Sequence, residues 1–381
     1  MKAGSRPAHT VRRAALVAAG ILAAALFAIG IGLFADLPTF GLDYRYLLNR
    51  AGIDLSEGST IALEEGLPGF ARFGPEMANW QALLAGLFNN LKIIVVALVA
   101  STLLGTLVGV ALLSRNALVR ALSFGYVELI RNTPLLVQLV FWYFAIILSF
   151  PPVSAAIDLY GWLIVSRRGI SFPGLSVVES GWLSIILAAC VLVLVCWYLW
   201  RRPGPGRLPI ALLSFGALIA AIPIVGSPVE LSFPVVKRFS VAGGIGLSAE
   251  LTGMLLALVV FTAAYIAEII RGVILSVPRG QSEAAQALGL SNRHTMQDVI
   301  LPQVYRVVLP ALSNQYVSLA KNTSLGIAIG YPDLFNVSGT IANQTGRNFE
   351  SILLVMLAYL LVSWTIIGGT SAINAALRRR A

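Results

Sequence analysis

Few residues in this chain could carry out covalent or acid–base chemistry. It has two histidines, His9 and His294, and two cysteines, Cys190 and Cys196. A structural zinc site takes about four nitrogen or sulfur ligands at close spacing. Both cysteines lie in one apolar stretch, where small apolar packing residues are the ordinary interpretation. The sequence therefore predicts no metal site, and we find no nucleophile with a base beside it.

A phosphate-binding loop is also excluded. That motif needs glycine and lysine followed by serine or threonine, so that backbone amides and the lysine amine hold the phosphates. None of the four lysines in the chain follows a glycine. We therefore expect that the chain is not an enzyme and does not hydrolyse ATP by this route.

The remaining residues of chemical interest are charges inside apolar segments. Lys321 lies in the middle of one, where a lysine costs about 2.5–3.5 kcal/mol on insertion scales. Either it faces an aqueous path and contacts a transported solute, or it is a structural tie to a carboxylate such as Glu268. Four polar neighbours could line the same path: Asn314, Asn322, Thr323 and Ser324.

Two acid–base pairs have the i, i+3 spacing that places both side chains on one helix face. They are Glu268 with Arg271 and Glu128 with Arg131. We predict a structural ion pair in each case.

The composition indicates a membrane protein that crosses the bilayer many times. Of the 381 residues 57% are hydrophobic and 12% charged, against about 25% charged in soluble domains. Apolar runs of membrane-spanning length predict an all-α polytopic bundle of about eight helices. Pro134 and Pro310 should start or kink helices within two of the runs. The runs are Ala14–Phe34, Leu91–Leu113, Phe124–Phe150, Trp182–Trp200, Leu208–Val225, Glu250–Leu275, Arg306–Gly330 and Ser351–Leu377.

The distribution of basic residues predicts the orientation. The net charge is +10, and of the 27 lysines and arginines 17 are assigned to one side and 8 to the other, which leaves Lys92 and Lys321, at or inside the runs, unassigned. Basic loops stay in the cytoplasm, so both termini are placed there. This explains the positive charge without a nucleic-acid partner. The external segment Ala35–Gln81 reads as a surface loop, with a short helix near Trp80–Asn90.

The segment Pro278–Pro302 is polar and lies between two apolar runs. We predict a short helix over Gln281–Leu288, a left-handed turn at Gly289, and a second short helix over Asn292–Ile300 that stops at Pro302. Such a knob would present small or apolar contacts and one carboxylate to the cytoplasm. An amphipathic loop lying on the membrane surface is the alternative. The predicted contact residues are Glu283, Ala284, Ala285, Leu288 and Leu290, with Gly289 as the turn.

These residues resemble a known motif. Glu283-Ala284-Ala285, with Gly289 four positions after Ala285 and Leu301-Pro302 beyond, resembles the EAA loop of ABC-importer permeases, although Val299 replaces the usual isoleucine. Three further blocks resemble the polar amino acid branch of that family, and two resemble its broad-range L-amino acid subgroup. The blocks are Tyr126–Leu139, Tyr265–Gly289 and Leu319–Leu325, followed by Ile327–Asn336 and Asn343–Gly346.

The resemblance implies a non-catalytic permease subunit of an importer driven by a separate ATPase. In that family the EAA loop docks on the ATPase, which binds ATP and magnesium, so this chain needs no cofactor of its own. The implied partners are two ATP-binding cassette subunits, a homologous second permease subunit, a periplasmic amino acid binding protein and membrane lipid. Lys321 would hold the α-carboxylate of an L-amino acid during alternating access in the inner membrane.

The resemblance also divides the chain. The permease core would comprise residues 87–150 and 250–377, with the coupling loop at 278–302. Residues 1–86 would add a tail, one span and an external loop, residues 151–249 two more spans, and residues 378–381 a basic tail. An ion-coupled secondary transporter is the alternative function, but it usually needs buried carboxylates, and Glu268 is the only clear in-span acid.

Overall fold

The computed structural model describes residues 42–64, 67–177, 229–238 and 240–380. This part of the chain is mostly helical, which confirms the predicted fold class. The α-helices are α1 (Asn79–Ala111), α2 (Ala117–Arg131), α3 (Leu135–Val140), α4 (Ala249–Ser276), α5 (Arg279–Ala287), α6 (Asn292–His294), α7 (Leu301–Asn322), α8 (Leu334–Thr345) and α9 (Asn348–Arg380).

Three of the described helices are long and apolar enough to cross a membrane: α1, α4 and the Asn348–Ala375 part of α9. They coincide with predicted runs. The runs Ala14–Phe34, Trp182–Trp200 and Leu208–Val225 lie outside the described residues, so a total of eight spans stays a prediction.

A fourth candidate span is broken at Pro134. Helix α2 ends at Arg131, and the helical stretch Leu135–Ser149 follows at an angle of 104°. Proline lacks the N–H that would continue the helix, so nearby carbonyls lose their partners. The Gln138 amide restores two of them, donating to the Ile130 carbonyl at 2.9 Å and the Thr133 carbonyl at 3.1 Å. Pro310, in contrast, starts no helix and lies inside α7.

Helices α1 and α4 pack closely because two glycines face the contact. A Cβ atom built at Gly105 would lie 2.7 Å from the Ile266 Cβ atom, and one at Gly109 would lie 2.9 Å from the Ala267 carbonyl oxygen. Small residues four positions apart let two membrane helices approach at backbone distance. The two helices therefore touch without an intervening layer of side chains at these points.

The segments between helices contain small antiparallel sheets that the sequence analysis did not predict. Strand β1 pairs with β2, β10 with β5, β5 with β4, β4 with β3, β6 with β7, and β8 with β9. The strands are β1 (Ser59–Glu64), β2 (Leu67–Arg72), β3 (Ile157–Leu159), β4 (Leu163–Ser166), β5 (Gly169–Phe172), β6 (Gly174–Val177), β7 (Val229–Ser232), β8 (Val235–Val236), β9 (Val241–Ala242) and β10 (Ile245–Ser248).

The described residues 42–64 and 67–78 form what we name the strap. The interpretation of this segment as a plain loop is wrong, because it contains a helical turn, Arg45–Leu48, and the β1–β2 hairpin. It also has its own hydrophobic core, in which Tyr46, Ile53 and Phe73 are buried with residues of α1 and α8. The helix expected near Trp80 is the beginning of α1.

Candidate coupling loop and transmembrane path

The polar loop after α4 is closed by a glycine turn. Helix α5 is followed by Gly289, whose φ of 78° is left-handed. The Leu290 N–H donates to the Ala285 carbonyl at 3.0 Å, and the Gly289 N–H to the Gln286 carbonyl at 2.9 Å. These two bonds are those of a Schellman motif, which satisfies carbonyls left free at a helix end. Only glycine adopts this conformation without steric cost.

The second half of the loop differs from the prediction. Helix α6 continues through a π-helical segment, Thr295–Ile300, directly into α7. The helical stretch therefore does not stop at Pro302, which is the second residue of α7. The Gln303 amide donates to the Gln281 side-chain oxygen at 3.1 Å and joins the start of α7 to α5.

Only part of the predicted contact set is exposed. Glu283 and Ala284 are exposed, and Leu288 is 81% exposed. Ala285 is buried and Leu290 is half-buried, so within this chain Ala285 is not on the exposed surface of the loop, and its contact with a partner stays a prediction. We name Glu283, Ala284 and Leu288 the docking face.

Lys321 lies in an open groove of about 590 Å³ between α7 and α9. Its side chain is exposed, and within the described ranges it forms no salt bridge. Ser324 lines the groove beside it, as do polar and aromatic side chains of α9 that the sequence did not single out. These α9 residues are Tyr359, Ser363 and Trp364.

The other predicted path residues are distributed differently. Thr323 is fully buried and donates to the Ala320 carbonyl at 2.7 Å, so its hydroxyl serves the helix end and does not face the groove. Asn322 is half-buried and is not among the groove residues. Asn314 lines a second cavity of about 210 Å³ between the same two helices.

One of the two predicted ion pairs forms. The Arg271 guanidinium binds both carboxylate oxygens of Glu268, with Nε donating to Oε2 at 3.1 Å. The Glu268 carboxylate is therefore paired with Arg271 and not with Lys321.

The predicted pair of Glu128 and Arg131 is wrong. Because α2 ends at Arg131, this side chain turns towards α4, and its guanidinium carbon lies 5.5 Å from the centre of the Tyr265 ring. The Glu128 carboxylate instead accepts a hydrogen bond from the Asn132 amide at 3.0 Å.

Asp333 is a functional candidate that sequence reasoning missed. It is fully buried in the connection before α8, where its carboxylate accepts from the Asn336 N–H at 2.8 Å and lies 3.4 Å from the Tyr359 hydroxyl oxygen. Burial raises the pKa of Asp333 to about 6. The aspartate before Leu334 signals a helix cap, but no sequence signal connects it with Tyr359.

The sequence was compared with families and with characterised proteins. Residues 204–381 match the family described as the inner membrane component of binding-protein-dependent transport systems. The putative amino-acid ABC transporter permease protein YhdX of Escherichia coli is 38% identical over 297 residues, which are 75% of each chain.

Two further relatives match a greater share of the chain. The general L-amino acid transport system permease protein AapQ of Rhizobium johnstonii is 33% identical over 84% of this chain and 80% of its own. The glutamate/glutamine/aspartate/asparagine transport system permease protein BztB of Rhodobacter capsulatus is 33% identical over 87% of this chain and 85% of its own.

Proposed function

The chain belongs to the family of amino-acid ABC transporter permeases, and on this premise we propose that it is the membrane subunit of a binding-protein-dependent importer of L-amino acids. As a permease subunit it is a non-catalytic component of the inner membrane. The observation that carries the proposal is the docking face, because a turn closed at Gly289 presents it on a compact loop between the candidate membrane span α4 and helix α7.

ATP would enter the mechanism through partner subunits. Two ATP-binding cassette subunits would bind ATP and magnesium and receive the docking face, with the exposed Glu283 carboxylate as an acceptor and Leu288 as an apolar contact. The 17-to-8 distribution of basic residues supports a cytoplasmic position for this loop and for both termini. A periplasmic binding protein would deliver the amino acid on the opposite face.

A homologous second permease subunit would pack beside α9. This helix is poorly covered by its own chain, with 17% of its spanning window buried. The exposed Lys321 in the adjoining groove argues against lipid at that position, since an exposed ammonium group in lipid costs about 2.5–3.5 kcal/mol. The second subunit would cover the groove, and lipid would cover the remaining apolar surface.

The substrate path would follow this groove. The Lys321 ammonium group would bind the α-carboxylate of the amino acid, and Ser324 and Tyr359 would offer hydroxyl groups beside it. Closure of the ATPase subunits on ATP would move the docking face and turn the path outward, and hydrolysis would reset it. The chain itself would contribute binding and movement without covalent chemistry.

Uptake by purified complexes in proteoliposomes tests the proposal. The complex should accumulate labelled L-amino acid only with ATP inside and binding protein outside. A non-hydrolysable ATP analogue provides the matched control. Accumulation driven by a sodium or proton gradient without ATP would refute the proposal and favour the ion-coupled alternative. The engagement of the Glu268 carboxylate by Arg271 is an observation against that alternative.

A further inference from the structure

The strap is attached to the start of α9 by polar contacts. Its Asp43 carboxylate forms a salt bridge with Arg347 at 3.1 Å, and the Asp43 N–H donates to Glu350 at 3.3 Å. The Tyr46 hydroxyl lies 3.1 Å from the Ser351 hydroxyl in a buried position. The beginning of the strap therefore lies against the first turn of α9.

A single strap residue, Glu57, joins the body of one helix, α1, to the beginning of another, α4. One carboxylate oxygen lies 2.7 Å from the Lys92 ammonium nitrogen of α1, and the other accepts from the Ser248 hydroxyl at 2.9 Å. Ser248 is the residue that caps α4. Lys92, well inside α1, is therefore held by an acid of the strap.

The connection after α7 meets the strap through Asn89 of α1. The two N–H groups of the Asn89 amide donate to the Glu57 carbonyl and to the Pro332 carbonyl, each at 3.0 Å. The Tyr331 hydroxyl lies 3.4 Å from the Asn89 carbonyl oxygen. The strap thus contacts the body of α1, the beginnings of α4 and α9, and, through Asn89, the connection that leads into α8.

These attachments are built into a packed core. Surface ion pairs alone contribute little and could separate readily. The strap, however, buries Tyr46, Ile53 and Phe73 against α1 and α8, and Thr60 is fully buried while donating to the Gln81 carbonyl at 2.8 Å. Lifting the strap would expose this apolar surface and leave buried polar groups without partners.

We propose that the strap is a brace that keeps α1, the connection before α8, and the beginnings of α4 and α9 together as one body throughout the transport cycle. The proposal rests on the proposed function, because it concerns alternating access. It places the outward opening between this chain and its partner permease, along the groove of Lys321, and not between helices of this chain.

Reversible cross-linking tests the brace. In a background with Cys190→Ala and Cys196→Ala, the substitutions Glu57→Cys and Ser248→Cys place thiols where the native side chains hydrogen-bond. A short bis-methanethiosulfonate reagent bridges the two in the assembled complex, and a reductant removes the bridge. The matched controls are the two single-cysteine variants treated identically.

We expect the bridged complex to keep more than half of the ATP-dependent uptake of the controls. Uptake below half of the controls that recovers on reduction would overturn the brace, since the strap would then have to separate from α4 in each cycle. A cysteine-free parent without ATP-dependent uptake would instead refute the proposed function. In that case electron paramagnetic resonance with spin labels on the same two cysteines tests the brace. The distance between the labels should be the same with and without nucleotide, and a change in that distance would overturn the brace.

Discussion

Replacing Gly289 by valine should weaken docking on the ATPase subunit without preventing the permease from folding. At a φ of 78° a residue with a Cβ atom is strained, and the left-handed conformation costs an L-residue about 1–2 kcal/mol. No other atom lies within 4 Å of the position of the new Cβ. The cost therefore comes from the backbone conformation and not from a collision. The rest of the permease should still insert and assemble with its partner permease.

The size of the effect follows from this strain. A cost of about 1–2 kcal/mol lowers the equilibrium constant for closing the turn by a factor of about 5–30, and the apparent affinity for the ATPase subunit falls in proportion to the population of the closed turn. We expect the dissociation constant of the permease–ATPase complex to rise by up to this factor. Uptake at limiting ATPase should decline in parallel.

The assay is titration of the ATPase subunit onto permease in nanodiscs, followed by uptake. Gly280→Val is the matched control, because Gly280 lies in the first turn of α5 without a positive φ and with open space around it. If Gly289→Val bound the ATPase and transported as well as Gly280→Val, the assignment of the docking face would be refuted.

Three further outcomes are expected. Lys321→Met should raise the KM for amino acid uptake at least tenfold and Lys321→Arg should restore part of it; unchanged kinetics in both would remove Lys321 from the path. The pKa of Asp333 is about 6 against an ordinary 3.8. Protonation of this carboxyl group therefore stabilises the folded state by roughly 3 kcal/mol below about pH 4, and this stabilisation is lost as the pH rises through 6. Thermal unfolding in detergent should show this decline, and Asp333→Asn should flatten it while keeping a cap acceptor; an equal slope in the variant contradicts the assignment. Gly105→Ala should destabilise the chain by about 1–3 kcal/mol through overpacking against Ile266, whereas Gly272→Ala on α4, with open space, should not; equal melting temperatures would contradict this.

Several features could be predicted from the sequence because they depend only on interactions between residues close together in the chain. The break at Pro134 and the turn at Gly289 follow from single residues whose backbone restrictions do not depend on the rest of the fold. The apolar spans follow from length and hydropathy alone. The ion pair of Glu268 with Arg271 also forms within one helix face.

Features that depend on residues far apart in the sequence could not be predicted. The same spacing argument fails for Arg131, because the end of its helix frees the side chain to reach Tyr265, more than a hundred positions later in the chain. Lys92 binds Glu57, which is 35 positions earlier in the chain, and no local pattern indicates this pair. The strap hairpin has strands of six residues each. Its position depends on the helices against which it packs, so the hairpin sequence alone does not predict it.

The close contact at Gly105 and Gly109 has a mechanical consequence. Helix α1 has 33 residues, or about 50 Å of length, and it is joined to α4 without a compliant side-chain layer. The first helix of the coupling loop follows α4 after only Val277 and Pro278. In the proposed importer the two helices would act as a stiff lever with the docking face at one end and the strap at the other. A displacement of about one ångström imposed by the ATPase on the docking face would tilt α1 and α4 together, because the two helices would deform little against each other.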